Sequence, residues 1–249
     1  MKGWHYVLLG LLSYVFFLVL SLPVSVFWQS SLVQSQLGAL PLGVSELKGR
    51  FWQGSATIHY GEETYPVNWR MSAQALWRGE LVAELNSEHP DLTARATVFV
   101  SPFSVGVRSL QASMGDEFIN SHLADLGVKM HKPVFVNVQN IRWNHHVFTE
   151  AVGRLSWAGG TVRYPGGRTV HDANLPRLLA DLTVLPDGQL SLSMVAPDQS
   201  ETNELLVLRL SGQGLGSVQV RRRFLDVLGE RWAANSQADD IVFEVSQQF

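Results

Sequence analysis

The sequence predicts a mainly antiparallel β domain that follows a single N-terminal transmembrane helix. Two observations predict this architecture. The stretch from Gly3 to Ser45 contains no Asp, Glu, Lys or Arg, and about 20 apolar residues in a helix span a hydrocarbon layer of ~30 Å. Beyond it, short segments of alternating apolar and polar residues are separated by turn formers, as half-buried strands are. A sheet of this size must bury one face, so we expect a curved or sandwich-like arrangement with about two covering helices.

Residues 1–28 are predicted to be an uncleaved signal anchor, because the apolar run is longer than the ~7–15 residues of a signal peptide and residues 21–25 offer no convincing small-x-small cleavage site. Lys2 precedes the run and the next charged residue is Glu46. The basic-inside bias therefore places the N-terminus in the cytoplasm and the rest of the chain across the membrane. The anchor residues expected at the two ends of the span are Lys2, Trp4, Tyr6, Phe27 and Trp28.

The overall composition excludes several classes of function. A net charge of -3 gives no electrostatic reason to bind nucleic acid. The absence of cysteine removes disulfides, thiolate catalysis and thiolate metal sites. Because 46% of the residues are hydrophobic, the chain has the composition of a folded protein and not of a disordered one.

Residues 29–48 are predicted to be a juxtamembrane connector, with helical apolar spacing as far as residue 45, and residues 49–249 a β-rich domain. The first strands are predicted at 55–60, 65–71, 80–86 and 92–100. Their short connections predict antiparallel pairing between neighbours in the chain.

A change of period then predicts a helix between residues 109 and 129, with apolar residues at helical spacing and Gly127 as its C-terminal stop. A second helix is predicted at about 221–234. Residues 49–58 and 153–162 share an order of Gly, basic, apolar, Trp and Gly, which indicates either two similar halves, 49–130 and 131–249, or chance similarity. The later strands are predicted at 134–143, 150–157, 160–164, 178–185, 189–196, 204–211 and 241–245.

No pattern of residues predicts catalysis, a metal or a cofactor. His145 and His146 are adjacent, and adjacent residues on a strand point to opposite faces. The Gly-rich segment 211–216 lacks the Lys and the βαβ context of a phosphate-binding loop. The acidic pairs at 62–63 and 239–240 lie in turn-like settings where solvation explains them. We therefore expect a protein that is not an enzyme and that carries no cofactor.

Several tryptophans lie in or beside predicted strands and next to glycines, as at Trp69 and Trp143. They can pack in a core, or they can line an apolar surface for a partner, because Trp is favoured where one end is buried and the other is wet.

The Gly/Trp segments carry a resemblance to a known family. The blocks Leu-Lys-Gly-Arg-Phe-Trp-Gln-Gly-Ser-Ala at 47–56, Val-Asn-Trp-Arg at 67–70 and Leu-Trp-Arg-Gly-Glu-Leu at 76–81, together with Gly-Arg-Leu-Ser-Trp-Ala-Gly-Gly at 153–160, resemble the type II secretion system protein N family. The order of blocks, chain length and topology agree, although no block matches after about residue 186. The positions that carry the resemblance are Gly49, Trp52, Gly54, Trp69, Trp77, Gly79, Gly153, Trp157 and Gly159.

The resemblance implies a single-pass protein of the bacterial inner membrane with its bulk in the periplasm. It would be an accessory, structural component of the machinery that exports folded proteins across the outer membrane. The implied partners are other secretion-system components, either the inner-membrane platform or the secretin. The resemblance implies no catalytic residues.

Two other interpretations stay open at the level of the sequence. In the first, the protein resembles the AsmA-like group and binds or transfers lipid in an apolar β groove. In the second, it tethers a complex by strand addition to an exposed edge, for which segment 204–211 is the candidate because its apolar residues occupy both faces. The same pattern also fits a central strand that is buried on both faces, and we favour that reading of the segment.

Overall fold

A computed structural model describes residues 43–60, 63–166, 169–197, 203–230, 232 and 235–248. The chain divides into two compact units, with the boundary between His89 and Pro90. The predicted anchor lies outside the described residues. Within those residues, no helix has both the length and the apolar character needed to cross a membrane.

Unit 1 is a four-stranded antiparallel sheet in which each strand pairs with its neighbour in the chain. Its faces differ because the residues alternate. Ile58 lies opposite Tyr65 and Ala56 opposite Val67 on one face, whereas Ser55 lies opposite Asn68 on the other. The elements are β1 (Gly43–Arg50), β2 (Gln53–Tyr60), β3 (Glu63–Ser72), a 3₁₀ turn (Ala73–Arg78) and β4 (Leu81–His89).

Strand β1 corrects the prediction of a connector that is helical as far as residue 45. Residues 43–48 belong to β1, which pairs with β2 from the Gly43–His59 pair to the Arg50–Gln53 pair. The short apolar segment before Glu46 fits a helix or a strand equally well. Pairing with β2 makes it a strand.

The elements of unit 2 are β5 (Leu92–Val100), β6 (Val105–Met114), α1 (Asp116–Leu123), a 3₁₀ turn (Ala124–Leu126), β7 (Lys129–Met130), β8 (Val134–Trp143), β9 (Phe148–Trp157), β10 (Gly160–Gly166), β11 (Thr169–Leu175), β12 (Leu178–Val184), β13 (Leu190–Val195), β14 (Leu206–Leu210), β15 (Leu215–Arg221), α2 (Arg222–Leu228) and β16 (Ile241–Gln248). Nine of these strands form an antiparallel sheet in the order β5-β6-β8-β9-β12-β13-β14-β15-β16, and three form a second sheet in the order β11-β10-β7. The mainly antiparallel β class that the sequence predicts is thereby confirmed.

The nine-stranded sheet has one apolar face and one mostly polar face. Its strand register brings one residue from each strand into rows that cross the sheet, and residues two apart on a strand share a face. One row consists of Ala96, Leu110, Val138, Gly153, Leu182, Leu192, Leu208, Val218 and Val245. The next row on the same face consists of Ala94, Ala112, Val136, Leu155, Ala180, Met194, Leu206, Val220 and Phe243.

The opposite face of this sheet is mostly polar. A row between the two apolar ones consists of Arg95, Gln111, Asn137, Arg154, Asp181, Ser193, Val207, Gln219 and Glu244. Arg154 Nε lies 2.6 Å from Asp181 Oδ1 in the middle of that row. The polar face can therefore lie in solvent, whereas the apolar face needs other elements to cover it.

The three-stranded sheet and α2 cover one end of the apolar face. Trp157 and Leu178 of the large sheet form a buried cluster with Val162 and Leu175 of the small sheet. Phe224, Val227 and Leu228 of α2 pack against the same cluster. This buried cluster joins the two layers of unit 2 by apolar contact.

The predicted helix between residues 109 and 129 is wrong in its first part. Residues 109–114 belong to β6, and α1 begins only at Asp116. Leu110 and Met114 are four residues apart, which places them on one face of a helix but also on one face of a strand. Pairing with β8 settles the choice. The predicted stop at Gly127 is confirmed, with φ of 66°.

Four other elements differ from the prediction. Strands β7, β11 and β15 had no predicted counterpart. The second helix ends at Leu228, because Gly229 adopts φ of 78° and terminates it. Strand β14 lies between β13 and β15, so segment 204–211 is not an exposed edge. The segment is therefore a central strand, as favoured above, but it is not buried on both faces, because Leu206, Leu208 and Leu210 on the apolar face are only half-buried.

Candidate interaction surfaces

One end of unit 1 brings together the turn between β1 and β2 and the turn after β3. Gln53 at the start of β2 lies opposite Arg70 near the end of β3. The Met71 N–H donates a hydrogen bond to the Trp52 carbonyl at 2.7 Å, which joins the two turns. The tip, defined as Phe51, Trp52, Leu76 and Trp77, is the group of large apolar side chains at this end.

Trp69 supports the tip from within the sheet. Its indole Nε1 donates a hydrogen bond to the Phe51 carbonyl at 3.0 Å. Its ring lies over Gly54, where an added Cβ would stand 2.4 Å from Trp69 Cζ2 and 2.4 Å from the Lys48 carbonyl oxygen. Gly49 in the same hairpin has φ of 104°, a conformation that favours glycine. The glycines and Trp69 therefore shape the β1–β2 turn and hold it in place.

Trp77 lies on the 3₁₀ turn and is 95% exposed, with Leu76 40% exposed beside it. The turn itself is fixed, because Ala75 is buried and the Gly79 N–H donates to the Leu76 carbonyl at 3.0 Å. Gly79 ends the turn with φ of 70°. Packing within the described residues does not require the Trp77 ring, and a fully exposed Trp on an ordered turn is typical of a contact for a partner.

A polar trough of about 600 Å³ lies on the unit 1 sheet. Its lining includes the positive Lys48 and Arg70 and the negative Glu84. The side-chain amides of Asn68 and Asn86 also line it. Mixed charges and amides of this kind suit hydrogen bonding to a polar segment of another protein.

The apolar face of unit 2 stays partly open beyond the end that the small sheet covers. A trough of about 350 Å³ runs over β12 to β16. Leu182, Leu192, Leu208, Val218 and Val245 line it, and these are consecutive members of one apolar row. The trough is therefore a continuous apolar strip that crosses five strands.

A small polar cluster links the end of α2 to the three-stranded sheet. The Tyr164 hydroxyl donates to Glu230 Oε1 at 2.7 Å, and His171 Nδ1 lies 2.6 Å from the same oxygen. The hydrogen bond from Tyr164, with that from His171, lowers the pKa of the Glu230 carboxyl. Burial, helped by the bond to Glu230, raises the pKa of Tyr164 to about 12. The two shifts favour the Glu230 carboxylate and the protonated Tyr164 hydroxyl, which are the forms that make this hydrogen bond. The cluster is therefore interpreted as a structural link.

Residues 40–239 of the 249 match the family described as type II secretion system (T2SS), protein N. The chain belongs to the type II secretion system protein N family. The resemblance seen in the Gly/Trp blocks is thereby confirmed. No curated protein and no solved structure gives a significant match to this chain.

Membership of the protein N family implies a role in type II secretion and contact with other components of that system. The family is a structural and accessory one. Among the described residues of this chain, no three His, Asp or Glu side chains are grouped so that they could hold a metal ion. His145 and His146 are both exposed. Asp239 receives hydrogen bonds from Arg223, and Asp240 accepts one from the Gln237 N–H.

The structure separates the protein N motif residues into two groups. Those of the first three blocks gather at the tip and its supports, whereas those of the last block lie in unit 2. Trp157 is 5% exposed and donates its indole N–H to the His131 carbonyl at 2.9 Å. An added Cβ at Gly159 would stand 2.6 Å from the carbonyl carbon of Pro176, and one at Gly153 would stand 3.1 Å from Val138 Cγ2. The last block therefore serves the core of unit 2.

The sequence raised an apolar β groove as an alternative but did not locate it on these strands, and it gave no sign of the Tyr164–Glu230 link. The strip could be found only from the strand register, because alternation within each strand does not reveal which neighbours continue a row. The link joins residues 66 positions apart, and no local pattern connects them.

Proposed function

We propose that this protein is an accessory component of the type II secretion machinery, anchored in the inner membrane and facing the periplasm, and that it binds other components of the machinery through the tip of unit 1. The family match supports the role in secretion. The observation that carries the proposal of a contact site is Trp77, which is 95% exposed at the point where three family blocks converge. The charge-free run before residue 46 supports the membrane anchor.

The binding site can be tested by photo-crosslinking in cells that assemble the secretion machinery. A photoreactive residue at position 77 should capture other secretion components. The matched control is position 64, since Thr64 is exposed on the same sheet and pairs with His59 at the end opposite the tip. Equal capture at both positions, or no capture at position 77, would refute the tip as the contact site.

The topology can be tested with single cysteines, because the natural chain contains none. In cells with a permeabilised outer membrane, Gln74→Cys on the exposed 3₁₀ turn should react with a membrane-impermeant maleimide. Gly3→Cys, which keeps the charge of Lys2, should react only after lysis. Labelling of both before lysis would contradict the proposed orientation.

The apolar strip of unit 2 favours a second candidate function, the binding of lipid in a β groove. Its volume of about 350 Å³ lies at the small end of the range for ligand sites. A photoreactive residue at Leu208, in the middle of the strip, should capture phospholipid if this function holds. Capture of secretion components there instead would make the strip part of the assembly surface.

A further inference from the structure

All three arginines of unit 1 lie at the end of the sheet that carries the tip. Arg50 is the last residue of β1 and pairs with Gln53, which pairs in turn with Arg70 of β3. Arg78 is the last residue of the 3₁₀ turn and directly follows Trp77. All three arginines are exposed. The apolar tip and three guanidinium groups therefore share one end of unit 1.

None of these arginines forms an ion pair with any residue that the structure describes. Even Glu84, which lies opposite Arg70 in the register of β3 and β4, is not paired with it. Unit 2 is different, because six of its arginines are each paired with a carboxylate. These pairs are Arg142–Glu150, Arg154–Asp181, Arg163–Asp172, Arg221–Glu204, Arg222–Asp226 and Arg223–Asp239.

The side chains at the tip have the composition of a binding hot spot. Trp and Arg are enriched among the residues that contribute most to protein interfaces. A guanidinium group presents a planar fork of N–H donors that fits a carboxylate with two parallel hydrogen bonds. The described carboxylates of unit 1 do not use these donors, so they are available to carboxylates of a partner.

The polar trough extends this surface away from the tip. Gln53 and Arg70, which form the row nearest the tip, line the trough. The next row consists of Ser55, Asn68 and Asn86, which also line it. Side-chain amides both donate and accept hydrogen bonds, as the backbone of an extended segment does. The trough can therefore hold the continuation of a segment that is bound at the tip.

We propose that the partner of the tip is an acidic, extended segment of another secretion component. Its carboxylates pair with Arg50, Arg70 and Arg78, and its chain continues into the polar trough. Because Glu84 lies on the β4 side of the trough, the acidic residues of the segment lie on the side of β1 and β3. This inference rests on the proposed function, since it names the chemistry of the partner at the same tip.

A membrane surface with anionic lipids also offers negative charge, but the path of the chain favours a protein. The charge-free run enters unit 1 at the start of β1, where Gly43 pairs with His59 at the end of the sheet opposite the tip. Strand β1 separates the two ends by roughly 20 Å at ~3.3 Å per residue. The tip is thus the end of unit 1 that lies farther from the proposed anchor along the sheet.

Photo-crosslinking from position 77 in cells tests the chemistry of the partner when the captured peptides are sequenced by mass spectrometry. The captured segment should contain several Asp or Glu residues. Arg70→Gln and Arg78→Gln should each lower capture at least about threefold, and the combination with Arg50→Gln at least about tenfold, because each removes one charge-assisted contact. The matched control is Arg177→Gln, which removes one charge from an exposed position of unit 2 and should not change capture.

A charge exchange provides an independent measurement. Arg78→Glu should lower capture at least about tenfold through like-charge repulsion, and Lys in place of the carboxylates of the captured segment should restore it. A captured segment without Asp or Glu, or capture that does not depend on the three arginines, would overturn the acidic partner and leave the tip as a contact site. Capture of phospholipid that depends on the arginines would also overturn it. Absence of any capture at position 77 would instead refute the proposed function itself. Circular dichroism checks that each variant is folded.

Discussion

The contact between Gly54 and the Trp69 ring predicts the effect of one methyl group on unit 1. In Gly54→Ala the new Cβ would stand 2.4 Å from both Trp69 Cζ2 and the Lys48 carbonyl oxygen, so the ring must move. Overpacking of this kind costs ~1–3 kcal/mol. Displacement of the ring also breaks the 3.0 Å hydrogen bond to the Phe51 carbonyl, which adds about 1 kcal/mol. We expect a total loss of roughly 2–4 kcal/mol from the stability of unit 1.

Hydrogen exchange measured by mass spectrometry resolves this loss by region. Protection of the β2 and β3 amides should fall on the order of 30- to 1,000-fold in Gly54→Ala, whereas unit 2 peptides should keep their protection. Gly79→Ala is the matched control. A Cβ there meets nothing within 4 Å, so the substitution costs only the roughly 1–2 kcal/mol of a left-handed alanine. If Gly54→Ala leaves β2 and β3 within about threefold of wild type, the ring does not depend on the glycine and the account of the tip is wrong.

Other substitutions separate contact residues from core residues. Trp77→Ala should leave the free energy of unfolding within about 0.5 kcal/mol of wild type yet reduce secretion, because the side chain is 95% exposed; a stability loss in chemical denaturation would contradict its role as a contact. Trp157→Ala should destabilise unit 2 by about 3–5 kcal/mol in the same measurement, because the ring is 5% exposed and hydrogen-bonded. Because the pKa of Glu230 is lowered in the folded state, its carboxylate stabilises the fold at pH values above the usual pKa of a Glu carboxyl. This stabilisation is lost as the pH falls through the lowered pKa. Glu230→Gln should therefore make unfolding stability less dependent on pH on the acid side. The raised pKa of Tyr164 has the opposite sense, so stability should fall as the pH rises from 10.0 to about 12, and Tyr164→Phe should remove that fall in alkaline unfolding curves.

The sequence was most informative where alternation within a strand was unambiguous. The segments at 134–143 and 92–100 have the same bounds as β8 and β5. It failed where two periods coincide, as from Leu110 to Met114, because a spacing of four residues fits both a helix and a strand. It also failed at β15, where Gly214 and Gly216 resemble a loop and only the pairing with β14 and β16 creates a strand.

The candidate site shows a similar division. The sequence identified both Trp77 and Trp157 as tryptophans near a strand and a glycine, and the local pattern is the same for both. Burial separates them. Trp157 is covered by Leu205 and by α2, which lie far along the chain, whereas none of the residues that the structure describes covers Trp77 in this way. Exposure depends on these distant contacts, so a local pattern cannot supply it.

The strand order has a consequence for the way in which unit 2 folds. Most strands of the large sheet pair with the strand before them in the chain, so these pairings have short loops to close and can form early. The small sheet is different, because β7 must wait for β10, and the cluster beneath it needs Ala196, Leu205 and Phe224 from much later in the chain. The cover should therefore close last, over an apolar face that is already assembled. During that interval the folding chain exposes much more apolar surface than the native protein does, which makes this intermediate the state most in need of a chaperone.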